Sequence, residues 1–465
     1  MKKFFLAILT LIFLISFAEA KNPEYIDKII KLYNLKTNNA LEFNATKSSD
    51  GYNFNCTFKN APKIYKTIFN SKPMHVIVDN GPLVTSPHFT LAKAGLVSKG
   101  SVLNIFNEKL LKDIKKSLKS EPKYSYQAVV SFSNKLEEKL TIDPIKIDNN
   151  DTSIELSKIY VANNFDLDSF TGKSSLKIDN LIVKPKNKSG ILEAKDIKFI
   201  SKIPQEPIDN IMLFADSKLS LGEVDFKATD KNKNPIAVKF SANIEGITRR
   251  VDKDYLDFAI KYNFKALDAN TIALAKGIKS SSLNLELKNL GIKGVEKFIL
   301  LSQKLDKLNS KLIEATQKND SQEMQKVILE QQELLNSGVD IFNKTFIGGK
   351  SRVVLDLNLK SDKESFAKVN LLYKGEPISG NIQSLVISLM AQQLNLFDGD
   401  FEVQLDSSLA TSINPLAIMG LDLLKSKGFA TEKNGLYYLK GQLKSGKIVI
   451  NGKAYTIPEL TKALF

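Results

Sequence analysis

Residues 236–244 read Ile-Ala-Val-Lys-Phe-Ser-Ala-Asn-Ile, and residues 256–264 read Leu-Asp-Phe-Ala-Ile-Lys-Tyr-Asn-Phe. In both stretches every second side chain is apolar and its neighbours are mainly polar, which is the period of a strand with one buried face. The same alternation recurs in residues 219–226, 283–287, 353–359 and 401–405. Such strands favour antiparallel pairing, because parallel strands are buried on both faces and need helical crossovers. The sequence therefore predicts a mainly antiparallel sheet with one wet face.

One long segment between these strands has a helical period instead. From Val295 to Ala315, apolar side chains recur at spacings of three and four residues. Asn319 interrupts the pattern, and Asp320 with Glu323 forms a capping pair for a second helix. We expect a helical hairpin over residues 295–343 that packs on its own sheet. Its apolar stripe also resembles a short coiled-coil seam, which would serve dimerisation or docking.

Together these segments predict an α+β fold: a long, curved, mainly antiparallel β-sheet with an inserted helical hairpin and few covering helices. A shorter helix is expected between Leu103 and Leu118, with a Lys-rich side that faces solvent or an anionic membrane surface. Clustered turn residues near residue 145 suggest an N-terminal α+β region, residues 21–145, and a β-rich region, residues 146–465.

The first twenty residues have the composition of a signal peptide. Lys2 and Lys3 precede an apolar run of 15 residues, and the small Ala20 comes before a polar segment. This run is shorter than the roughly 20 residues that a membrane span needs. We expect cleavage between Ala20 and Lys21, and hence a periplasmic protein of the cell envelope. Without cleavage, the segment would hold the chain at the inner membrane.

The chain is basic, with 66 Lys and Arg residues, 51 Asp and Glu residues and a net charge of +15. Its lysines are scattered and do not form a stripe with aromatic residues, and export takes the chain away from nucleic acid, so no nucleic-acid partner is expected. Anionic lipid headgroups or an acidic partner are the expected counter-surface. Cys56 is the only cysteine and alternates with Tyr52 and Phe54 as in a strand, so we expect it to pack in the core.

The sequence contains no recognisable catalytic or metal-binding motif. His75 and His88, the only two histidines, lack the spacing of a zinc site. No G-x-S-x-G nucleophile turn occurs. Acidic neighbours such as Glu137 and Glu138 cannot be distinguished from surface charge by sequence. We therefore expect neither enzymatic activity nor a cofactor.

Two segments match the acidic-x-Asn-x-Ser/Thr acceptor of bacterial general N-glycosylation. One is centred on Asn44 and the other on Asn150. A transferase can modify such an asparagine where the chain is exposed and flexible, and the alternative role is that of a turn-forming residue. Both asparagines are candidate glycosylation sites.

Several short motifs, taken in order, resemble the YdgA-like family of exported bacterial proteins, which is defined by a domain of unknown function. Gly81-Pro82-Leu83 looks like a turn that recurs in the family, although Asn80 stands where the family has His. Further similar elements are Leu290-Gly291-Ile292 before the helix at Val295, Phe346-Ile347-Gly348-Gly349 before the strand at Arg352, and a C-terminal hairpin with Gly428, Tyr438, Gly441, Gly446, Asn451, Gly452 and Lys453. The resemblance spans about residues 23–460. It implies the fold and export, but transfers no reaction.

The predicted function follows from the imbalance between many half-wet strands and few helices that could cover them. A sheet with an incompletely covered apolar face forms a binding groove. We expect a non-catalytic periplasmic envelope protein that binds a lipid, another hydrophobic ligand or an envelope partner on this sheet. The alternative is a structural or assembly factor that acts through dimerisation, as a homo-oligomer, or through docking of the hairpin. A third hypothesis, a hydrolase of envelope polymers, would require a deep cleft with paired carboxylates.

Overall fold

The computed structural model describes residues 24–37, 42–57, 74–85, 90–105, 108–186, 190–208, 211–229, 234–391 and 395–464. These residues form 22 strands with few helices, and the strand pairings described below are all antiparallel. The predicted α+β class with a mainly antiparallel sheet is therefore confirmed. The curvature predicted for the sheet stays a prediction.

The chain divides into two compact units. The first comprises Met1–Gly222, Phe226–Ile236 and Ser302–Ile328, and the second comprises Glu223–Asp225, Ala237–Leu301 and Leu329–Phe465. The boundary expected near residue 145 falls inside the first unit. Strands on either side of that position pair with each other there, as the register below shows.

Apart from residues 302–328, which belong to the helical hairpin described below, the described part of the first unit contains one helix at its start, eleven strands and a second short helical region. Its helices are α1 (Glu24–Lys36), a 3-10 turn (Val102–Ile105) and α2 (Glu108–Ser117). Its strands are β1 (Glu42–Lys47), β2 (Gly51–Thr57), β3 (Met74–Thr85), β4 (Thr90–Ser101), β5 (Lys123–Ser131), β6 (Lys135–Ile142), β7 (Ile145–Asp148), β8 (Thr152–Leu156), β9 (Ile159–Asp166), β10 (Gly172–Pro185) and β11 (Gly190–Ile203). Strand β12 (Asp216–Thr229) follows and includes residues of both units.

Strands of the first unit pair mostly in chain order. β1 to β6 are consecutive neighbours, β6 pairs with β9, β9 with the first half of β10, and β10 with β11. The hairpin of β7 and β8 joins through β8 to the second half of β10. The helix predicted between Leu103 and Leu118 is present as the 3-10 turn followed by α2, and it ends where Leu118 forms a bridge with Ile147.

The core of the first unit lies between α1 and one face of the sheet. Apolar side chains of α1 recur at helical spacing and are at most 2% exposed: Tyr25, Ile26, Ile29, Leu32, Tyr33 and Leu35. The sheet residues that face inward are at most 6% exposed: Ala92, Ala94, Leu96, Tyr126, Ala128, Val130, Leu136, Leu140, Val161, Phe165 and Leu176. The wide apolar face of α1 thus packs on this side of the sheet, whose inward-facing residues are sealed from solvent.

The second unit contains the remaining strands and most of the helices. Its strands are β13 (Pro235–Arg250), β14 (Tyr255–Ala266), β15 (Ser280–Gly291), β16 (Arg352–Lys360), β17 (Glu364–Tyr373), β18 (Phe397–Asp406), β19 (Thr431–Lys433), β20 (Leu436–Lys444), β21 (Lys447–Ile450) and β22 (Lys453–Tyr455). Its shorter helices are α3 (Ala269–Leu274), α7 (Ile382–Ala391), α8 (Ser407–Ile413), α9 (Ala417–Ser426) and α10 (Ile457–Leu464).

Strands β13 to β18 pair in chain order, and β20 follows β18. The other edge of β20 pairs with β19 and then with β21, which pairs with β22. The last hairpins turn at Ser445-Gly446 and Asn451-Gly452, where both residues have positive φ. This conformation defines the type I′ turn of tight hairpins, so Gly446, Asn451 and Gly452 of the expected C-terminal hairpin lie in its turns.

The predicted helical hairpin is confirmed. It consists of α4 (Ile292–Lys318), α5 (Ser321–Asn336) and a short continuation, α6 (Gly338–Thr345). Asp320 caps α5, since its Oδ1 accepts a hydrogen bond of 3.1 Å from the backbone N–H of Glu323. Leu308, Ala315 and Val327 of the hairpin are buried.

Candidate functional site

Three rows of apolar side chains cross six strands of the second unit. In an antiparallel sheet, directly opposed residues lie on the same face. The register defines the rows as Tyr262–Leu283–Leu357–Ala367–Val403–Leu439, Ile260–Leu285–Leu355–Val369–Phe401–Gly441 and Phe258–Leu287–Val353–Leu371–Gly399–Leu443. We call this surface the open apolar face.

The central side chains of the open apolar face are not sealed. Leu285, Leu355, Val369 and Phe401 are all half-buried, and Ile260 at the end of their row is 39% exposed. The corresponding inward-facing residues of the first unit are at most 6% exposed. Among the described residues of the second unit, therefore, no element covers the middle of this face as α1 covers the sheet of the first unit.

The open apolar face is large. Six strands at about 4.8 Å spacing extend over roughly 24 Å, and three rows at every second residue extend over roughly 14 Å. The resulting area of roughly 300 Å² is comparable with the largest apolar patch on an ordinary monomer, and such patches often bind a partner or ligand.

One end of the open apolar face is closed by aromatic side chains. Tyr373 is 2% exposed and opposes Phe397 across β17 and β18, with ring centroids 5.7 Å apart. Phe342 of α6 packs edge-on against Tyr373 at 5.8 Å and stacks with Phe346 at 5.0 Å. The face is thus bounded where α6 meets the sheet.

The opposite face of the same strands is polar. Its residues alternate with those of the open apolar face and include Lys261, Asn284, Glu286, Asp356, Lys368, Asn370, Glu402 and Lys440. Local ion pairs stabilise their positions, as between Lys288 and Glu286 at 2.9 Å. The polar face expected from the alternation of polar and apolar residues is therefore present, and it distinguishes the two sides of this sheet chemically.

The first unit contains a buried polar network beneath α1. Glu138 is 2% exposed and accepts hydrogen bonds from the hydroxyls of Tyr33 and Tyr126 and from Asn163 Nδ2, the last two at 2.7 and 3.0 Å. Burial, and then the Glu138 carboxylate, raise the pKa of Tyr126 well above its ordinary value. Glu138, Asn163 and Ser174 oppose one another on β6, β9 and β10, so one row of the sheet forms this network.

Lys36, at the end of α1, completes this network. Its Nζ donates to Ser174 Oγ at 3.0 Å and lies 4.4 Å from the ring centroid of Phe165. Burial lowers the pKa of Lys36 to about 8, and Glu138 opposes that shift. The network lies on the sealed side of the sheet and joins α1 to three strands. This network could not be predicted from the sequence. The alternation in β6 determines on which face of the sheet Glu138 lies, but it does not show which element covers that face.

Metal coordination has no support among the residues that the structure describes, where no group of three or more His, Cys, Asp or Glu side chains could hold an ion. His75 lies on β3 with Nδ1 3.1 Å from Asn53 Oδ1 and Nε2 3.1 Å from Asp50 Oδ1. His88 lies outside the described residues. None of the helices in the described ranges is long and apolar enough to cross a membrane.

The sites predicted from sequence fall in different places. Ala20 and Lys21, with the whole signal peptide, lie outside the described residues. Asn44 is half-buried in β1 and opposes Asn55 of β2. Asn150 is exposed in the turn between β7 and β8, where Asn149 Oδ1 accepts a bond of 2.8 Å from the N–H of Thr152. Asn150 is thus the more accessible of the two candidate acceptors.

The segment Gly81-Pro82-Leu83 lies within β3, and the turn predicted there is absent. The register shifts by one residue between Asn80 and Leu83, so the strand bulges at Gly81 and Pro82. Proline has no N–H to donate and is tolerated in a sheet at such a bulge. Asn451 and Gly452, in contrast, form the turn between β21 and β22.

Comparisons with known proteins agree with part of the predicted resemblance. A search of curated proteins and a search of solved structures each found no match. A family model described as a bacterial protein of unknown function (DUF945) matches residues 71–458. The match includes residues of both units and most of the span of the expected resemblance, but it begins after α1, β1 and β2. The chain belongs to this DUF945 family of bacterial proteins.

Proposed function

We propose that this protein is a non-catalytic periplasmic envelope protein that binds a lipid along the open apolar face of its second unit. The observation that carries the proposal is the contrast between two sheet faces of one chain: the first is sealed by α1, and the second leaves Leu285, Leu355 and Val369 half-buried. A large apolar surface in contact with water is unfavourable unless a ligand or partner covers it.

The shape and chemistry of the surface favour an acyl chain as its occupant. The rows consist of aliphatic and aromatic side chains and extend over roughly 24 Å. An acyl chain spans one leaflet, roughly 15 Å of a hydrocarbon core of about 30 Å, so it fits within one row. The basic chain, with a net charge of +15, would attract a lipid with an anionic headgroup. The expected signal peptide would place the protein where such lipids are present.

The expected affinity is moderate. Covering roughly 300 Å² of apolar surface contributes about 8 kcal/mol of favourable binding free energy, at about 25 cal/mol per Å². The loss of translational and rotational freedom opposes this by at least about 4 kcal/mol. Reversible binding, suited to a carrier or a sensor of envelope lipid, is therefore more consistent with this surface than permanent occupancy.

The experiment is a binding titration of the mature protein with a fluorescent phosphatidylglycerol. The double variant Leu285→Asn and Leu355→Asn makes the centre of the open apolar face polar, and we expect it to weaken binding at least tenfold. The control, Glu286→Gln with Asp356→Asn, changes the neighbouring positions of the same strands, which lie on the opposite face. Equal affinity of the two double variants would contradict the proposal.

A second candidate function, dimerisation or docking through the hairpin, has its own support. Phe298 of α4 is 60% exposed and Leu329 of α5 is 61% exposed, and large apolar side chains in such positions are typical of interfaces. Sedimentation over a range of concentrations tests it. If the wild type associates, the double variant Phe298→Glu with Leu329→Glu should abolish the association. The control double variant, Gln332→Glu with Asn336→Glu, should preserve it. This pattern would support a homodimer. A wild-type monomer at every concentration would exclude one.

A further inference from the structure

A groove lies on the solvent side of the sheet of the first unit, opposite the face that α1 seals. It has a volume of about 350 Å³ and crosses β6, β9, β10 and β11. The outward-facing side chains that line it include Lys139, Tyr160, Ala162, Ser175, Lys177 and Lys198. The groove is independent of the open apolar face, because it belongs to the other unit and is bordered by charged residues.

The register places two lysines side by side in this groove. Lys177 of β10 is directly opposite Lys198 of β11, and Tyr160 of β9 is directly opposite Lys177 on its other side. Like charges that oppose each other across two strands are destabilising. The pair is therefore a position where a bound anion would bring a favourable interaction with both ammonium groups.

Each lysine has one acidic partner, two residues away on its own strand. Lys177 Nζ is 2.6 Å from Asp179 Oδ1, and Lys198 Nζ is 3.4 Å from Asp196 Oδ1. All four side chains are about half exposed, so these surface pairs are weak. A phosphate group carries up to two negative charges and three acceptor oxygens, so it could compete with the aspartates for both lysines.

The rest of the groove suits a ring. The next row along the strands has the small side chains Ala162 and Ser175 directly opposite each other, which leaves room above the backbone. The ring of Tyr160 is 43% exposed and forms one side, with the ammonium of Lys158 5.7 Å from its centroid. The aromatic ring of Tyr160 can stack on a sugar ring, and the hydroxyl of Ser175 can hydrogen-bond to a sugar hydroxyl.

We propose that this groove binds a phosphorylated sugar, with the phosphate between Lys177 and Lys198 and the sugar ring against Tyr160. The ligand is either a soluble sugar phosphate or the phosphorylated sugar headgroup of a glycolipid. Both sources share the chemistry that the groove recognises, which is an anionic phosphate ester next to a hydroxylated ring.

Calorimetry with the mature protein tests the proposal with three soluble probes: glucose 1-phosphate, inorganic phosphate and glucose. Co-sedimentation with phosphatidylcholine vesicles, with and without lipid A, tests the headgroup form. Binding of glucose 1-phosphate identifies a soluble ligand. Binding to lipid A vesicles without binding of the soluble ester identifies the glycolipid. Absence of both would overturn the proposal.

Variants separate the groove from the net charge of the chain. Lys177→Gln with Lys198→Gln should weaken binding at least tenfold, whereas Lys433→Gln with Lys440→Gln removes the same charge elsewhere and should leave it unchanged. Tyr160→Ala should reduce the affinity for glucose 1-phosphate to that for inorganic phosphate. Equal binding by the two lysine double variants would overturn the proposal.

Discussion

Glu137 and Glu138 are consecutive residues of β6, yet their carboxylates lie on opposite faces of the sheet. Glu137 is exposed to solvent, whereas Glu138 is 2% exposed and accepts three hydrogen bonds beneath α1. The alternation of a strand separates the two side chains, and the helix on one side determines which of them is buried. The same residue type therefore has two different roles at adjacent positions.

Replacement of each glutamate by alanine should separate these roles. Glu138→Ala leaves the hydroxyls of Tyr33 and Tyr126 and the amide of Asn163 without their acceptor, so the free energy of unfolding should fall by about 3 kcal/mol. Glu137→Ala, the matched control, should change it by less than about 0.5 kcal/mol. Chemical denaturation measures both. Equal effects would mean that the network does not hold α1 on the sheet.

Lys36→Met should stabilise the first unit in a pH-dependent way. Burial lowers the folded-state pKa of Lys36 to about 8 from 10.5, so the folded state binds fewer protons than the unfolded state between these values. The cost of burying the charge is therefore fully present below pH 8 and disappears as the pH rises through 10.5. The gain from the methionine should reach at most about 3 kcal/mol near neutral pH.

The measurement is the difference in free energy of unfolding between wild type and Lys36→Met at several pH values. Using the difference cancels the titration of the other lysines and tyrosines. A difference that does not change between about pH 7 and pH 10 would show that Lys36 titrates normally in the folded protein.

Cys56 should react slowly with thiol reagents in the native protein. Burial raises the pKa of its thiol to about 12, so only about one molecule in 10⁴ carries the reactive thiolate at pH 8. We expect labelling with a disulfide reagent to be at least a hundredfold slower in the native state than in guanidinium chloride. Equal rates would contradict the core-packing role predicted from the alternation of Cys56 with Tyr52 and Phe54.

The strands were predictable because their signal is local. The alternation in residues 236–244 and 256–264 fixes both the strand and the side of each residue, and β13 and β14 contain these residues. The break at Asn319 and the cap at Asp320 define the hairpin in the same local way. The turn at Asn451-Gly452 follows from the tolerance of these residues for positive φ.

The remaining features depend on contacts between distant residues. Tyr33 and Glu138 are 105 positions apart, and no local pattern shows that α1 covers Glu138. Gly81-Pro82 reads as a turn by composition, but the pairing of β3 with β4 extends across it and accommodates the proline in a bulge. The groove at Lys177 and Lys198 depends in the same way on the register of β10 with β11, which sequence alone does not provide.

Two leucines of the second unit test the open apolar face without any ligand. Leu256 in β14 is 1% exposed, whereas Leu355 in β16 is half-buried. Leu256→Ala should leave a cavity and lower the stability of this unit by about 3 kcal/mol. Leu355→Ala removes contacts only on one side of a surface that already meets water, and should lower it by about 1 kcal/mol. Hydrogen exchange of the amides in β14 to β17 measures both effects in the unit that carries the substitutions. Equal losses of protection would mean that Leu355 lies in a closed core, and the open apolar face would then not exist in solution.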